Sequence, residues 1–220
     1  MNSEHKPLVM AILLLVFFAV FTFLVKTVDV QAIGPEGSSV GFASLNGALA
    51  KGGYRELWYK LSKYTGCLAL AVIGVYGCLG LMQLIKRKDL KKVDRDIIVL
   101  GCFYLVVGIL YVLFNKLVIN YRPVILEEGL EPSYPSSHTM LGLCVFLSAV
   151  RMESIAPKGG SSLYKKVLAG LAVFLLLTRL FSGVHWFTDI LGGALLSAAL
   201  LCFFGWALDR FGGSEKNIQK

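Results

Sequence analysis

Long, uncharged apolar runs are the feature of this sequence that most constrains its fold. A transmembrane helix needs about 20 mostly apolar residues to cross roughly 30 Å of hydrocarbon. Six candidate runs cover approximately residues 8–25, 67–85, 97–114, 139–150, 167–178 and 186–208. The sequence therefore predicts an all-α, polytopic membrane protein with six transmembrane helices, in which residues 1–220 form a single membrane-integral domain.

Run length and flanking residues refine this prediction. The runs 139–150 and 167–178 are short for full spans, so we expect their helices to continue into the polar residues beside them. The run 8–25 is longer than the apolar part of a secretory signal, and only Lys6 precedes it as a firm positive charge. We therefore expect it to remain as an uncleaved first helix.

The longest predicted connection, residues 34–64, contains a mildly amphipathic segment. Its apolar and aromatic positions include Leu45, Leu57, Trp58 and Tyr59. Aromatic and basic residues at this place favour a short interfacial helix between transmembrane helices 1 and 2. A solvated loop with a short helix explains the pattern equally well.

Lysine and arginine residues predict how the helices are oriented. Cytoplasmic loops carry an excess of these residues, and the densest cluster lies in the loop 86–96. The loop after the fourth helix and both tails add further basic residues, so both termini should be cytoplasmic. This bias, with contacts to anionic lipid head groups, accounts for the net charge of +8 without a nucleic-acid partner.

Composition excludes several other classes of protein. Hydrophobic residues make up 56% of the chain and charged residues 16%, which is too apolar for an ordinary soluble enzyme or a disordered tail. The five cysteines lie within or at the ends of apolar runs and form no CxxC pair. They are interpreted as small buried apolar residues, without a disulfide framework or a zinc site.

Some ionisable residues are not explained by the orientation of the helices in the membrane. They lie in the segments 115–123, 134–139 and 178–189. His185 and Asp189 are spaced i, i+4, which on a helix places a carboxylate beside one ring nitrogen and leaves the other free for attack or proton transfer. A structural hydrogen bond explains the pair as well. Arg179 would face away from His185 on a continuous helix, and we expect a break at Ser182 and Gly183 to bring the two together.

Three cations, Lys116, Arg122 and Arg179, are predicted to clamp phosphate oxygens. For the first two, snorkelling at a helix end is the alternative when each is taken alone. The acidic residues Glu127, Glu128 and Glu131 have no evident partner, and a solvated loop is favoured over a metal site there.

The segment around Pro135 predicts the start of the fourth helix, with proline at an early position. The free backbone N–H groups of that first turn and the hydroxyl of Ser136 would form an anion site. His138 would lie in the same turn, close to the anion.

These segments resemble the three motifs of the type 2 phosphatidic acid phosphatase superfamily, whose pattern is K-x6-R-P, P-S-G-H and S-R-x5-H-x3-D. The resemblance runs from Lys116 to Asp189, and the six-helix layout extends it to nearly the whole chain. Three departures occur: Lys116 is separated from Arg122 by five residues, Ser137 replaces glycine, and Thr178 replaces serine.

The resemblance implies a phosphatase in which His185 attacks phosphorus and forms a phosphohistidine, while Asp189 fixes its tautomer. His138 would protonate the leaving oxygen and later activate water. Phosphate would be bound by Lys116, Arg122, Ser136, Ser137 and Arg179, with backbone N–H groups near Ser137. No metal or other cofactor is implied, since the cations take the place of magnesium.

The resemblance also implies a membrane lipid as substrate, cleaved at the extracytoplasmic face of the cell membrane. Undecaprenyl diphosphate, phosphatidylglycerol phosphate and phosphatidic acid are all compatible, with a slight preference for cell-envelope lipid recycling. The expected partners are the bilayer and the lipid substrate, with no nucleic acid and no obligate protein partner. The alternatives are a lipid phosphotransferase and a non-enzymatic transporter, which is disfavoured because the first three helices carry no charge at mid-depth.

Overall fold

The computed structural model describes residues 5–126, 129–152 and 161–213, and these ranges form seven α-helices joined by loops and short 3-10 turns. The helices are α1 (Lys6–Thr27), α2 (Ala43–Leu49), α3 (Glu56–Arg87), α4 (Arg95–Phe114), α5 (Ser137–Val150), α6 (Ser161–Ser182) and α7 (Phe187–Phe211). Within the same ranges, β structure is limited to isolated bridges. The all-α prediction is confirmed.

Helices α1, α3, α4 and α7 are each long and apolar enough to cross a membrane. Their outer faces expose large apolar side chains, such as Phe23 at 65% and Leu105 at 67%. An apolar surface of this extent is stable in hydrocarbon and not in water. The chain is therefore a multi-pass membrane protein, with four candidate spans in the part of the chain that the structure describes.

Helix α5 forms the centre of the bundle. Helices α3, α4, α6 and α7 all pack against it, and most of its side chains are buried, including Met140, Cys144 and Phe146. The expected extension of the short runs holds for α6, which begins at Ser161, but α5 gains only residues 137–138. A helix enclosed by protein need not match the hydrocarbon thickness, because its ends meet other helices rather than lipid.

The connection before α3 is shorter than the sequence predicted, because α3 begins at Glu56. Leu57 and its two aromatic neighbours lie in the first turn of α3, so the amphipathic segment is divided between α2 and α3. Helix α2 is fixed to α7 by Asn46, which is fully buried. The Asn46 Nδ2 donates to Thr188 Oγ1 at 2.9 Å, and the Thr188 backbone N–H donates to Asn46 Oδ1 at 3.2 Å.

One end of the bundle brings together the starts of α3, α5 and α7 with the ends of α4 and α6. The Arg55 backbone N–H, just before α3, donates to the Ser182 carbonyl at the end of α6 over 3.0 Å. The Ser136 backbone N–H, just before α5, donates to the Asp189 carbonyl in the first turn of α7 over 2.9 Å. All three sequence segments with candidate site residues therefore meet at this end.

The opposite end holds both extremities of the described chain. Arg151 after α5 forms an ion pair of 3.7 Å with Asp209 in the last turn of α7. Helix α1 runs antiparallel to α7, since Thr22 near its C-terminal end lies 2.9 Å from the Tyr134 hydroxyl at the site end. The start of α1 and the end of α7 therefore share one end of the bundle.

Candidate active site

A polar cavity of about 360 Å³ opens at the end of the bundle where the three segments meet. Its walls come from four helices and the loop before α5. They include Tyr59, Lys63, Asn115, Arg122, His138 and Arg179. The cavity is therefore rich in cations, which suits an anionic ligand.

His185 lies in the turn between α6 and α7. Helix α6 ends at Ser182, and Gly183 follows with φ +70°, so the break predicted from the sequence is confirmed. A side chain at Gly183 would collide with the backbone of Gly53 and Tyr54. Glycine is needed here both for the left-handed conformation and for the close approach of the two backbones.

This break brings Arg179 and His185 into contact. Arg179 Nη2 lies 2.5 Å from His185 Nε2, and because a guanidinium can only donate, the Nε2 atom is an unprotonated acceptor. Burial, followed by the Arg179 charge, holds the pKa of His185 well below its ordinary value. An unprotonated Nε2 is the form of imidazole that can act as a nucleophile. His185 itself lies behind Arg179, on the wall of a second cavity of about 250 Å³.

Ser133 joins His185 to Asp189. Its hydroxyl donates to Asp189 Oδ2 and lies 2.9 Å from His185 Nδ1. The direct distance from His185 Nδ1 to Asp189 Oδ2 is 3.7 Å, beyond hydrogen-bonding range. The donor order that satisfies every atom is His185 Nδ1–H to Ser133 Oγ, and Ser133 O–H to the carboxylate.

The predicted helical arrangement of His185 and Asp189 is wrong, although the two residues do converge. Helix α7 begins at Phe187 with Trp186 as its N-cap, so His185 precedes the helix. Asp189 Oδ2 instead accepts the Trp186 backbone N–H at 2.9 Å and caps α7. Sequence spacing gave no signal for Ser133, which looks like any other loop serine after a proline.

Arg122 and Arg179 are both buried, with 8% and 1% exposure. Arg122 forms an ion pair of 2.7 Å with Glu131, so the expectation of a solvated loop is wrong for Glu131. Glu127 and Glu128 lie outside the described residues. In the described structure the Nε atoms of both arginines and the Nδ1 of His138 lack a hydrogen-bond partner. Buried donors without a partner are costly, and an anion with several oxygens would satisfy them.

The first turn of α5 places His138 and two serines at the cavity. His138 packs edge-on against Tyr111, with ring centroids 5.7 Å apart. Ser136 is the N-cap of α5, and its Oγ accepts the Thr139 hydroxyl at 2.9 Å. Ser137 donates to Asn115 Oδ1 at 2.8 Å. Both serine hydroxyls are thus engaged within the protein.

Lys116 is the predicted site residue that the structure does not bring to the cavity. It follows the end of α4 with its side chain exposed, and its neighbour Asn115 lines the cavity instead. Lys63 on α3 also lines the cavity, although it lies far from the three motif segments in sequence. The role of Lys116 in phosphate binding stays a prediction.

Comparison with known proteins gives two matches. Residues 117–211 match the family model of the PAP2 superfamily. The fold is similar to the crystal structure of the first transmembrane PAP2-type phosphatidylglycerolphosphate phosphatase from Bacillus subtilis, with a TM-score of 0.64, 19% sequence identity, and coverage of 95% of this chain and 98% of that chain. No curated protein matches the chain.

Proposed function

We propose that the chain is a lipid phosphate hydrolase of the PAP2 superfamily, which the family match over residues 117–211 and the similar fold of a PAP2-type phosphatase support. It would remove a phosphate or diphosphate head group through a phosphohistidine on His185. The observation that carries the proposal is the chain of contacts from Arg179 through His185 and Ser133 to Asp189. It presents an unprotonated Nε2 beside a cation, and that pairing is what attack on a phosphate anion requires.

The first chemical step replaces one protein contact by a substrate contact. Phosphate enters the polar cavity and then moves between Arg179 and His185. As it does so, the Arg179 guanidinium exchanges its hydrogen bond to His185 Nε2 for hydrogen bonds to phosphate oxygens. His185 Nε2 then forms a bond to phosphorus, and the bond from phosphorus to the leaving oxygen breaks. His138, on the cavity wall, gives that oxygen a proton.

The second step releases phosphate. His138 takes a proton from water, the oxygen of that water bonds to phosphorus, and the bond to His185 breaks. Through both steps the Nδ1 proton of His185 is held by Ser133, and the Asp189 carboxylate stabilises the positive charge on the ring. Arg122 and Arg179 bind the equatorial oxygens with their forked donors.

The membrane arrangement follows from the same proposal. All helices except α2 cross the bilayer, giving six spans, and α2 lies in the interface with Leu45 and Leu49 exposed. Both termini are cytoplasmic and the cavity opens on the extracytoplasmic face. A membrane-impermeant thiol reagent should modify Ile125→Cys, and not Lys88→Cys, in intact cells; the reverse labelling would invert the arrangement.

A phosphorylated membrane lipid is the substrate class that fits a polar cavity at the end of an apolar bundle. Phosphatidylglycerol phosphate, phosphatidic acid and undecaprenyl diphosphate all combine an anionic head with a tail that stays in lipid. The similar fold of the phosphatidylglycerolphosphate phosphatase supports the first of these. A panel of the three lipids, with inorganic phosphate release as the readout, would identify the substrate.

The decisive experiment compares the wild-type protein with His185→Ala, both purified in detergent. Phosphate release should fall by several orders of magnitude in the variant, while His5→Ala, which changes an exposed histidine at the start of α1, should leave it unchanged. Wild-type protein given a radiolabelled lipid phosphate and rapidly quenched should carry an acid-labile phosphate that His185→Ala lacks. Near-normal turnover of His185→Ala would refute the nucleophile, and lipid consumption without free phosphate would indicate transfer to another acceptor.

A further inference from the structure

Lys63 is a cavity-lining cation that lies outside both the three motif segments and the matched residues 117–211. It projects from α3 one turn after Tyr59, and its Nζ lies 5.5 Å from the centroid of the Tyr59 ring. Both side chains line the same cavity as His138 and Arg179. Lys63 therefore faces the place where phosphate is proposed to bind.

The adjoining residue ties α3 to the site. Arg179 Nη1 donates to the Ser62 hydroxyl at 3.2 Å, and Ser62 is fully buried. A helix that is hydrogen-bonded to the central arginine holds its next residue at a fixed distance from that arginine. The backbone of Lys63 is consequently fixed beside the site, while its side chain is exposed and reaches the cavity wall.

Charge balance shows what Lys63 contributes. Among the described side chains of the cavity wall, Lys63, Arg122 and Arg179 are positive, while Glu131 is negative and pairs with Arg122. The wall thus carries two uncompensated positive charges with Lys63 and one without it. A phosphate monoester carries a charge of about −1.5 to −2 at pH 7, so Lys63 brings the fixed positive charge of the wall close to that of the ligand, before any proton on His138 is counted.

The residues at which this chain differs from the first and second motif patterns, Asn115 and Ser137, contact each other. In the K-x6-R-P pattern the lysine stands seven residues before the arginine, and that position is Asn115 here. Asn115 accepts the hydroxyl of Ser137 at 2.8 Å, and Ser137 stands at the glycine of the second motif. The amide and the hydroxyl satisfy each other, and the adjacent Lys116 does not line the cavity.

We propose that Lys63 binds the phosphate group of the substrate and supplies, from α3, the positive charge that the motif pattern places at the position of Asn115. The inference rests on the proposed phosphatase function and deepens it. Lys63 reaches the cavity from α3, whereas Arg122 reaches it from the loop before α5 and Arg179 from α6, so the three cations approach a bound phosphate from different elements.

The test measures binding of inorganic phosphate to the purified protein in detergent by calorimetry, together with kcat and KM for dioctanoyl phosphatidic acid. Lys63→Met should weaken phosphate binding and kcat/KM by about 10- to 150-fold, the range for loss of a hydrogen bond to a charged group. Lys63→Arg should stay within a few-fold of wild type. Lys60→Met is the matched control, because Lys60 lies on the same helix and pairs with Glu56 at 2.7 Å.

A reciprocal variant separates loss of charge from loss of structure. Lys63→Met combined with Asn115→Lys returns a cation to the same cavity and should recover at least a tenth of the wild-type affinity. Unchanged phosphate affinity in Lys63→Met, absence of any recovery in the double variant, or the loss appearing in Lys116→Met in place of Lys63→Met would each overturn the proposal. If the wild-type protein bound phosphate but hydrolysed no lipid, the proposed function would be refuted. The phosphate affinities of the Lys63 variants would then decide alone whether Lys63 binds phosphate.

Discussion

Replacing Ser133 by alanine removes the hydroxyl that joins His185 to Asp189 and alters little else. Ser133 is buried, and alanine has nearly the same volume. His185 Nδ1 and Asp189 Oδ2 would remain 3.7 Å apart, too far for a direct hydrogen bond. Asp189 would keep the Trp186 backbone N–H as a donor, so the cap of α7 should survive.

The expected size of the effect follows from the bond that is lost. In the proposed mechanism the His185 ring becomes positively charged when Nε2 attacks phosphorus, and a hydrogen bond to a charged group contributes about 1.5–3 kcal/mol. Because 1.4 kcal/mol corresponds to a factor of ten in rate, Ser133→Ala should lower kcat by about 10- to 150-fold. KM should change little, since the hydroxyl does not line the polar cavity.

Phosphate release from a lipid phosphate in detergent measures both constants, with Ser38→Ala as the control because that loop hydroxyl has no partner in the described structure. A double-mutant cycle with Asp189→Asn adds the sharper criterion. If Ser133 and Asp189 act as one unit, the serine change should cost little more once the aspartate is gone. Losses that multiply, or a kcat for Ser133→Ala within two-fold of wild type, would refute the relay.

The remaining predictions concern the turn and the loop that position His185. Since burial and the adjacent arginine lower the pKa of His185, its neutral form should persist well below pH 6.5, and the histidine NMR signal that His185→Ala removes should stay unprotonated across that range. Gly183→Ala should destabilise the protein by about 1–3 kcal/mol, because it forces a side chain into a left-handed conformation without space, whereas Gly213→Ala, with nothing within 4 Å, should leave the melting temperature unchanged. Asn46→Ala leaves the Thr188 backbone N–H without its partner. The variant should have a lower melting temperature, equivalent to a loss of about 1–3 kcal/mol of stability, and a lower kcat. An unaltered melting curve would show that α2 does not anchor α7.

The residues whose meeting depends on local chain geometry could be predicted from the sequence. Arg179 and His185 converge because Ser182 ends a helix and Gly183 turns the chain, and both signals are visible in the residue types themselves. The apolar runs similarly predicted six of the seven described helices, because burial in lipid depends on composition over one segment. Features of this kind are determined by residues that are close together in the sequence, so the sequence pattern is enough to predict them.

Contacts between distant segments could not be predicted in the same way. Ser133 and Lys63 reach the site only because α3 and the loop before α5 pack beside the α6–α7 turn, and no periodicity in the sequence encodes that packing. Lys116 and Asn115 differ by one position, which at a helix end decides whether a side chain faces the cavity or the outside. The registry of a helix end is set by its tertiary neighbours and not by residue type.

His138 on α5 lies deep beside α3, and in the proposed mechanism this depth favours one order of steps. Its ring lies beside Gly66, ten residues after the start of α3, so about 15 Å of that helix projects past the ring at 1.5 Å per residue. In the proposed mechanism a lipid phosphate beside His138 occupies the cavity of about 360 Å³ that this histidine lines. We expect the dephosphorylated lipid to leave before water can reach the phosphohistidine. Short-chain alcohols are small enough to enter the same cavity, so when added they should compete with water for the intermediate.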